Sequence, residues 1–294
     1  MNKHLIQLVI TDLDNTLYDW YEAFVPAFYA MVEAARSITG IDENTLLDDL
    51  RVVHQRHGNS EHPFALLEAQ SIERRFPSMA KGEIRSQLDE AFHVFNKERK
   101  KSLKLYDGVE DSLAALNRAV VPVVAYTDAR VVNSLSRLRK LGIKHSISRL
   151  YAPAARTGIE DDDDDLRENF VHLLPAEDRK PNPHTLRDIC VEYCVAPENT
   201  LYIGDSLARD IYMANSARTR SAWARYGTLY DKALWPKLVR VTHWTDSDVK
   251  REEALRKEAE GARPDCVLDR FSDIFAHYEF GRRENQASSL SSGM

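Results

Sequence analysis

Two aspartates, Asp12 and Asp14, stand one residue apart directly after an apolar run rich in β-branched residues, and Thr16 follows them. Such a run is typical of a buried strand. Unpaired charge is costly in a buried environment, so a carboxylate pair where a buried strand opens into a loop needs a partner such as a metal ion. We therefore expect other parts of the chain to complete a site around Asp12 and Asp14.

Two more apolar runs end in residues that could join this site. Residues 120–126 lead into Thr127, and residues 200–203 are followed by a glycine and then Asp205. Helical patterns alternate with these strands, which indicates an α/β fold with a doubly wound, mostly parallel sheet. Ligands bind beyond the carboxyl ends of the strands in such sheets, so we expect the polar strand-end residues to lie close together.

These residue types suit phosphoryl chemistry. Mg²⁺ prefers carboxylates, carbonyl oxygens and water, and aspartates from separate strands would supply them. A hydroxyl and a lysine could bind an anion beside that metal, and this combination stabilises a transferring phosphoryl group. One aspartate could attack as a nucleophile while the other moves a proton to the leaving oxygen.

The elements that must position these residues divide into two regions. Residues 18–105 carry apolar side chains at helical spacing and contain no convincing strand, which predicts an inserted all-helical cap. Residues 1–17 and 106–280 are assigned to the α/β core. The polar, serine-rich tail of residues 281–294 is predicted to be disordered.

Two long connections stand apart from this plan. The acidic run at residues 160–165 is predicted to be a solvated loop, with a cation site as the alternative. The insertion at residues 227–261 contains Trp235 and Trp244, which could either pack onto the core or form a surface for a protein partner.

Composition limits the remaining possibilities. The formal charge of −6 and the pI near 6.0 give no reason to expect nucleic-acid or anionic-membrane binding. The first residues lack the pattern of a signal peptide, and no apolar run approaches the roughly 18 residues of a transmembrane helix. Three cysteines without zinc-type spacing fit reduced thiols, so we expect a cytoplasmic protein.

Four ordered stretches of the chain resemble the motifs of the haloacid-dehalogenase-like superfamily of phosphohydrolases. They are Asp12-Leu13-Asp14-Asn15-Thr16, the strand-end Thr127, Lys180-Pro181, and Gly204-Asp205 with Asp210 five positions further on. The resemblance covers residues 5 to about 225 and implies a Rossmann-like core. It also implies that the helical module of residues 18–105 is a mobile cap.

The resemblance implies a role for each matching residue. Asp12 would be the nucleophile that forms an aspartyl-phosphate, and Asp14 the general acid/base. Thr127 and Lys180 would bind the phosphate. Mg²⁺ would be held by Asp12, Asp14 (through its backbone carbonyl) and Asp205, and the supporting residues would be Asp210 and Asp128.

The function that this resemblance implies is a Mg²⁺-dependent phosphatase acting on a small phosphorylated metabolite or nucleotide. A phosphomutase with the same nucleophile is an alternative, as is a non-catalytic member that binds a protein partner through residues 227–261. A dehalogenase is disfavoured by Asp14, because superfamily members with that activity do not keep a metal-binding acid there.

Overall fold

The computed structural model divides the chain into two compact units. The first unit comprises Met1–Tyr18, Leu105–Thr228 and Glu258–Met294, and the second comprises Asp19–Lys104 and Leu229–Lys257. The residues that the structure describes are 3–62, 64–154, 169–175 and 178–282. The predicted acidic loop at 160–165 and the tail from residue 283 lie outside these described residues.

The strands all belong to the first unit as far as the structure describes it. In chain order they are β1 His4–Ile6, β2 Leu8–Thr11, β3 Val123–Tyr126, β4 Arg149–Pro153, β5 Val171–Leu174, β6 Thr200–Gly204, β7 Arg220–Ala224, β8 Cys266–Leu268 and β9 Tyr278–Phe280. Seven of them form one sheet in the order β5-β4-β3-β2-β6-β7-β8, and every neighbouring pair is parallel. Strands β1 and β9 form a separate parallel pair. The predicted doubly wound α/β fold is confirmed.

The described helices are distributed between the two units. In chain order they are α1 Trp20–Thr39, α2 Glu43–His57, α3 Gln70–Arg75, α4 Lys81–Gln87, α5 Asp89–Ser102, α6 Val109–Arg118, α7 Val131–Lys140, α8 Pro183–Glu192, α9 Tyr212–Ala217, α10 Leu234–Val241, α11 Asp246–Glu258 and α12 Ile274–His277. A short π-helical turn, Leu207–Ile211, precedes α9. Within the described residues, no helix is both long enough and apolar enough to cross a membrane.

The burial of the three central strands explains why the sequence predicted them clearly. Every residue of β2, β3 and β6 is buried. Strands covered on both faces are near-continuous apolar runs, and these three are the runs that the sequence predicted. Strand β2 pairs with β3 on one side and with β6 on the other, so the carboxyl ends of all three meet at one edge.

The edges of the sheet were predicted less well. Strand β4 occupies Arg149–Pro153 and pairs with β3. Strand β5 was not predicted, because its two middle residues, His172 and Leu173, are both exposed and break the alternation of apolar and polar residues that marks a half-buried strand. The short β1–β9 pair was also missed.

The described secondary-structure elements of the second unit are all helices, as the sequence indicated for residues 18–105. Its core includes Phe24, Leu46 and Leu50. The structure groups Leu229–Lys257 with this unit, whereas the sequence analysis placed that segment in the 106–280 core. The physical reason is the apolar face of α10, whose buried leucines at positions 234 and 238 pack into the same core.

A buried hydrogen bond reinforces this grouping. The Nδ1 atom of His54 in α2 donates to the carbonyl oxygen of Val241 at the end of α10, over 2.7 Å. Gln55 Nε2 also donates to the carbonyl oxygen of Trp244, over 3.2 Å. Trp235 remains 41% exposed, and a role for it or for Trp244 in binding a protein partner stays a prediction.

Candidate active site

The loops that follow β2, β3 and β6 lie at the same edge of the sheet. Asp12 continues the pairing of β2, because its backbone N–H donates to the carbonyl oxygen of Ile203 in β6, over 2.8 Å. Thr127 continues β3, and its backbone N–H donates to the carbonyl oxygen of Tyr151 in β4, over 3.1 Å. Backbone pairing therefore fixes the strand ends on which the predicted side chains are carried.

Lys180 joins two of these carboxylates. Its Nζ lies 2.7 Å from Asp12 Oδ1 and 3.0 Å from Asp210 Oδ1. The lysine side chain is only 3% exposed, and the two aspartates are also buried. Burial alone would lower the pKa of Lys180, but the charges of Asp12 and Asp210 outweigh it and hold that pKa well above its ordinary value. Lys180 is therefore positively charged.

Asp210 is fixed from several sides. Besides Lys180, its carboxylate accepts hydrogen bonds from the Tyr202 hydroxyl over 2.8 Å and from the Ser206 backbone N–H over 3.0 Å. Gly204 makes room for it, because a Cβ atom there would lie 2.4 Å from Asp210 Cγ. Asp210 is thereby suited to organising its neighbours. Tyr202 was not predicted as part of the site, since it reads as one more apolar residue of a buried strand.

The carboxylates of Asp12, Asp205 and Asp210 offer oxygen atoms that all lie within 4.8 Å of one another. Burial raises the pKa of Asp12 to about 7, although Lys180 opposes the shift. The pKa of Asp205 lies well above its ordinary value, because of burial and then the charges of Asp210 and Asp12. Three carboxylates and one ammonium group leave two formal negative charges, so a divalent cation fits this donor set in charge and in chemistry.

The carboxylate of Asp14, the predicted general acid/base, contacts an arginine. Arg137 of α7 lies with its guanidinium 2.9 Å from Asp14 Oδ1, and its Cζ atom is 5.8 Å from the centre of the Tyr18 ring. Arg137 is buried, with 5% of its surface exposed. Arg137 was not among the predicted site residues. The sequence pattern that could have identified it is a charged residue on the buried face of α7, which also carries Ser134 and Leu138.

Thr127 and Asp128 connect β3 to the segment that carries Lys180. Thr127 is buried, and its hydroxyl oxygen accepts from the Ala129 N–H over 3.1 Å. Asp128 Oδ1 accepts from the Lys180 backbone N–H over 3.0 Å, and its other oxygen lies 3.6 Å from Arg209. Asp128 therefore links the end of β3 to the backbone of Lys180.

The loop after Asp14 is held by residues far along the chain. The Tyr226 hydroxyl donates to the carbonyl oxygen of Thr16 over 2.6 Å. Gly227 approaches so closely that a Cβ atom there would lie 1.7 Å from the carbonyl oxygen of Asn15. Asn15 itself adopts a left-handed conformation, with φ of 57°. Only a glycine at position 227 permits this approach, which was not evident from the sequence.

Two protein-family models together match most of the chain. A model described as haloacid dehalogenase-like hydrolase matches residues 6–218. A second model, described as HAD-hydrolase-like, matches residues 178–274. The first match spans more than half of the chain and contains all seven residues that the sequence analysis proposed for the site.

Two named relatives and one solved structure are similar to this chain. N-acetylmuramic acid 6-phosphate phosphatase from Pseudomonas aeruginosa is 26% identical over 83% of this chain and 93% of its own length. Glyceraldehyde 3-phosphate phosphatase from Methanopyrus kandleri is 28% identical over 77% of this chain and 87% of its own. The structure of 2-haloacid dehalogenase from Pseudomonas syringae pv. Tomato superposes with a TM-score of 0.54 at 18% identity, covering 92% of this chain and 97% of that one, which shows a shared fold.

Together, the family match and the two phosphatases confirm the predicted enzyme class, a hydrolase of phosphoric monoesters. The acidic cluster is consistent with the use of a divalent metal. The chain belongs to the haloacid dehalogenase-like hydrolases.

Proposed function

We propose that this protein is a Mg²⁺-dependent phosphatase that hydrolyses a small phosphorylated metabolite through an aspartyl-phosphate on Asp12. The observation that carries the proposal is the buried cluster in which Lys180 Nζ contacts Asp12 Oδ1 at 2.7 Å while Asp205 and Asp210 complete a group of three carboxylates. One cation and three acids at the end of a parallel sheet are suited to receiving a phosphate and a metal together.

Asp12 is the proposed nucleophile. A carboxylate oxygen of Asp12 attacks the phosphorus, the new bond forms between them, and the bond from phosphorus to the substrate oxygen breaks. The contact with Lys180 fixes the carboxylate and reduces its repulsion of the incoming phosphate. The same lysine and the Thr127 hydroxyl bind phosphoryl oxygens in the transition state, where charge stabilisation contributes most.

Asp14 is the proposed proton carrier. It gives a proton to the leaving oxygen in the first step and takes one from the water that attacks the phosphorus of the aspartyl-phosphate in the second. The second step releases inorganic phosphate and restores Asp12. Arg137, 2.9 Å from Asp14 Oδ1, is proposed to hold the carboxylate in one orientation through both steps.

Asp12 and Asp205 are the side chains proposed to hold Mg²⁺, with the backbone carbonyl of Asp14. The oxygens of Asp210 are already engaged by Lys180, Tyr202 and Ser206, so Asp210 would support the site indirectly. When bound, the ion supplies positive charge that offsets the repulsion between the nucleophile and a phosphate.

The substrate is proposed to be a small phosphate ester. The two relatives are named for N-acetylmuramic acid 6-phosphate and glyceraldehyde 3-phosphate, which differ in size but share one phosphate on a small organic molecule. Nucleotides stay among the candidates. The cap role of the helical unit, the cytoplasmic location and the lack of nucleic-acid or membrane partners also stay predictions.

A phosphate-release screen tests the proposal. The panel contains an aryl phosphate, sugar and triose phosphates, phosphoglycolate and nucleotides, each with Mg²⁺ and with a chelator. We expect Mg²⁺-dependent release, and Asp12→Asn should reduce turnover by more than about a thousandfold because it removes the nucleophile. Asp107→Asn, at an exposed aspartate of the same unit, is the matched control and should retain activity.

The screen also separates the alternatives. An isomerised sugar phosphate without free phosphate would indicate a phosphomutase. Folded protein that is inactive on the whole panel, or an Asp12→Asn variant with the turnover of the Asp107→Asn control, would contradict the catalytic proposal. Inactivity on the whole panel would favour a non-catalytic role, whereas full turnover of Asp12→Asn would mean that another group is the nucleophile.

A further inference from the structure

The helical unit contains a second group of side chains with metal-ligand chemistry. His57 is the last residue of α2, His62 lies in the following loop, and Glu68 ends a 3₁₀ turn at Ala65–Glu68. All three belong to the second unit, whereas the aspartate cluster belongs to the first. None of them has a role in the phosphatase mechanism proposed above.

The carboxylate of Glu68 holds both histidines. His57 Nε2 lies 2.8 Å from Oε2 of Glu68, and His62 Nε2 lies 2.9 Å from Oε1. The two imidazole rings stack with their centres 3.6 Å apart and their planes 8° from parallel. One nitrogen or oxygen atom from each of the three residues lies within 4.8 Å of the other two.

We propose that His57, His62 and Glu68 bind a transition-metal dication, for which Zn²⁺ has the preferred chemistry. Two imidazole nitrogens and one carboxylate oxygen are a frequent zinc donor set, and three protein ligands leave the fourth tetrahedral position to water. Mg²⁺ favours all-oxygen coordination, so the site discriminates against the ion proposed for the aspartate cluster.

Binding of an ion requires a small rearrangement of the two rings. The parallel rings place their Nε2 atoms side by side, so the two rings must rotate apart for both nitrogens to reach one ion at about 2.0–2.1 Å. Each Nε2 must also lose the proton that it now shares with Glu68, to Nδ1 or to solvent. The side chains are 25%, 13% and 25% exposed for His57, His62 and Glu68, which gives an ion a route from solvent.

The competing explanation is that the group is a structural hydrogen-bond cluster. Glu68 would then tie the end of α2 to the following loop, and Arg56, whose guanidinium lies 3.5 Å from Glu68 Oε2, would contribute to neutralising the carboxylate. This explanation predicts that the histidine and glutamate variants change stability without changing the amount of zinc bound.

Zinc titration of the full-length protein tests the proposal. Chelator-treated protein is placed in excess Mg²⁺, the ion proposed to occupy the aspartate cluster, and Zn²⁺ binding is measured by calorimetry and equilibrium dialysis. We expect one equivalent of Zn²⁺ to bind, and His62→Asn and Glu68→Gln each to weaken its affinity by more than about a hundredfold. His93→Asn is the control. The exposed His93 also contacts a carboxylate, because its Nε2 lies 3.1 Å from Oδ2 of Asp89 on the same helix.

The result that overturns the proposal is zinc binding that is absent in the wild type or equal in the wild type and both variants. If a variant fails to fold, imidazole nitrogen NMR of the wild type decides the question. Zn²⁺ must then shift the Nε2 resonances of His57 and His62 among the ten histidines of the chain, and shifts confined to other histidines would refute the assignment.

Discussion

Replacing Lys180 with methionine should destabilise the protein in a way that depends on pH. The ammonium group is buried 2.7 Å from Asp12 Oδ1 and 3.0 Å from Asp210 Oδ1, and methionine keeps much of its length without its charge. Removing one partner of a buried ion pair costs about 3–5 kcal/mol, because the remaining charge stays desolvated. Lys180 serves two carboxylates, so we expect a loss in the upper part of that range above neutral pH.

The sign of the pH dependence follows from Asp12. Its pKa is already raised to about 7, and loss of Lys180 removes the charge that opposes this rise. In the variant the folded state therefore holds a proton on Asp12 up to a higher pH than the folded wild type does. The destabilisation relative to the wild type should therefore grow as the pH rises above about 7, where the wild-type Asp12 loses its proton and the variant's keeps it, and diminish on acidification below about 7.

Urea unfolding in a chelator, followed by circular dichroism over a series of pH values, measures this effect. Lys104→Met, at an exposed lysine, is the control and should leave the free energy of unfolding nearly unchanged. Asp210→Asn in the Lys180→Met background should recover part of the loss, since it removes one unpaired charge. A pH-independent loss that Asp210→Asn does not recover would refute the electrostatic reasoning and indicate lost packing instead.

Three further predictions concern the glycine, the buried histidine and the metal. Gly204→Ala places a Cβ atom 2.4 Å from Asp210 Cγ, so it should lower turnover by at least about tenfold in the phosphate-release assay, whereas Gly261→Ala, with open space around it, should be neutral. Burial lowers the pKa of His54 to about 4 from 6.5, against the pull of the Val241 carbonyl. The unfolded state therefore takes up the proton first, and up to about 3 kcal/mol of stability should be lost as the pH falls from 6.5 through about 4. In urea unfolding over a series of pH values, His54→Gln should remove this loss of stability. An unchanged loss in the variant would mean that another group causes it. Mg²⁺ should raise the melting temperature more strongly as the pH rises through about 7, where Asp12 loses its proton. A Mg²⁺-induced rise in melting temperature that calorimetry finds to be the same at every pH would contradict this prediction.

The sequence predicted the part of the site that depends on local pattern. Strands β2, β3 and β6 are apolar because they are buried on both faces, and the polar residues at their ends therefore stood out. Lys180 and Asp210 were included through the motif resemblance, and the structure places both near Asp12.

What the sequence left undetermined depends on tertiary contacts. Arg137 contacts Asp14, which lies 123 residues earlier in the chain, and the local pattern of α7 does not predict which residue Arg137 contacts. The close approach of Gly227 to Asn15 likewise requires the folded sheet. The assignment of Leu229–Lys257 to the helical unit rests on which core the α10 leucines enter, and an amphipathic pattern does not specify that.

Chemical trapping of the phosphoenzyme tests the role of Asp12 most directly. The enzyme is mixed with a substrate from the phosphate-release screen, quenched in acid during turnover, and digested for mass spectrometry, with borohydride reduction of a parallel sample. We predict one phosphoryl group on the peptide that contains Asp12, and conversion of that residue to homoserine by borohydride. A phosphoryl group on any other residue, or active enzyme that yields no phosphopeptide while Asp12→Asn keeps wild-type turnover, would contradict the assignment of Asp12 as the nucleophile.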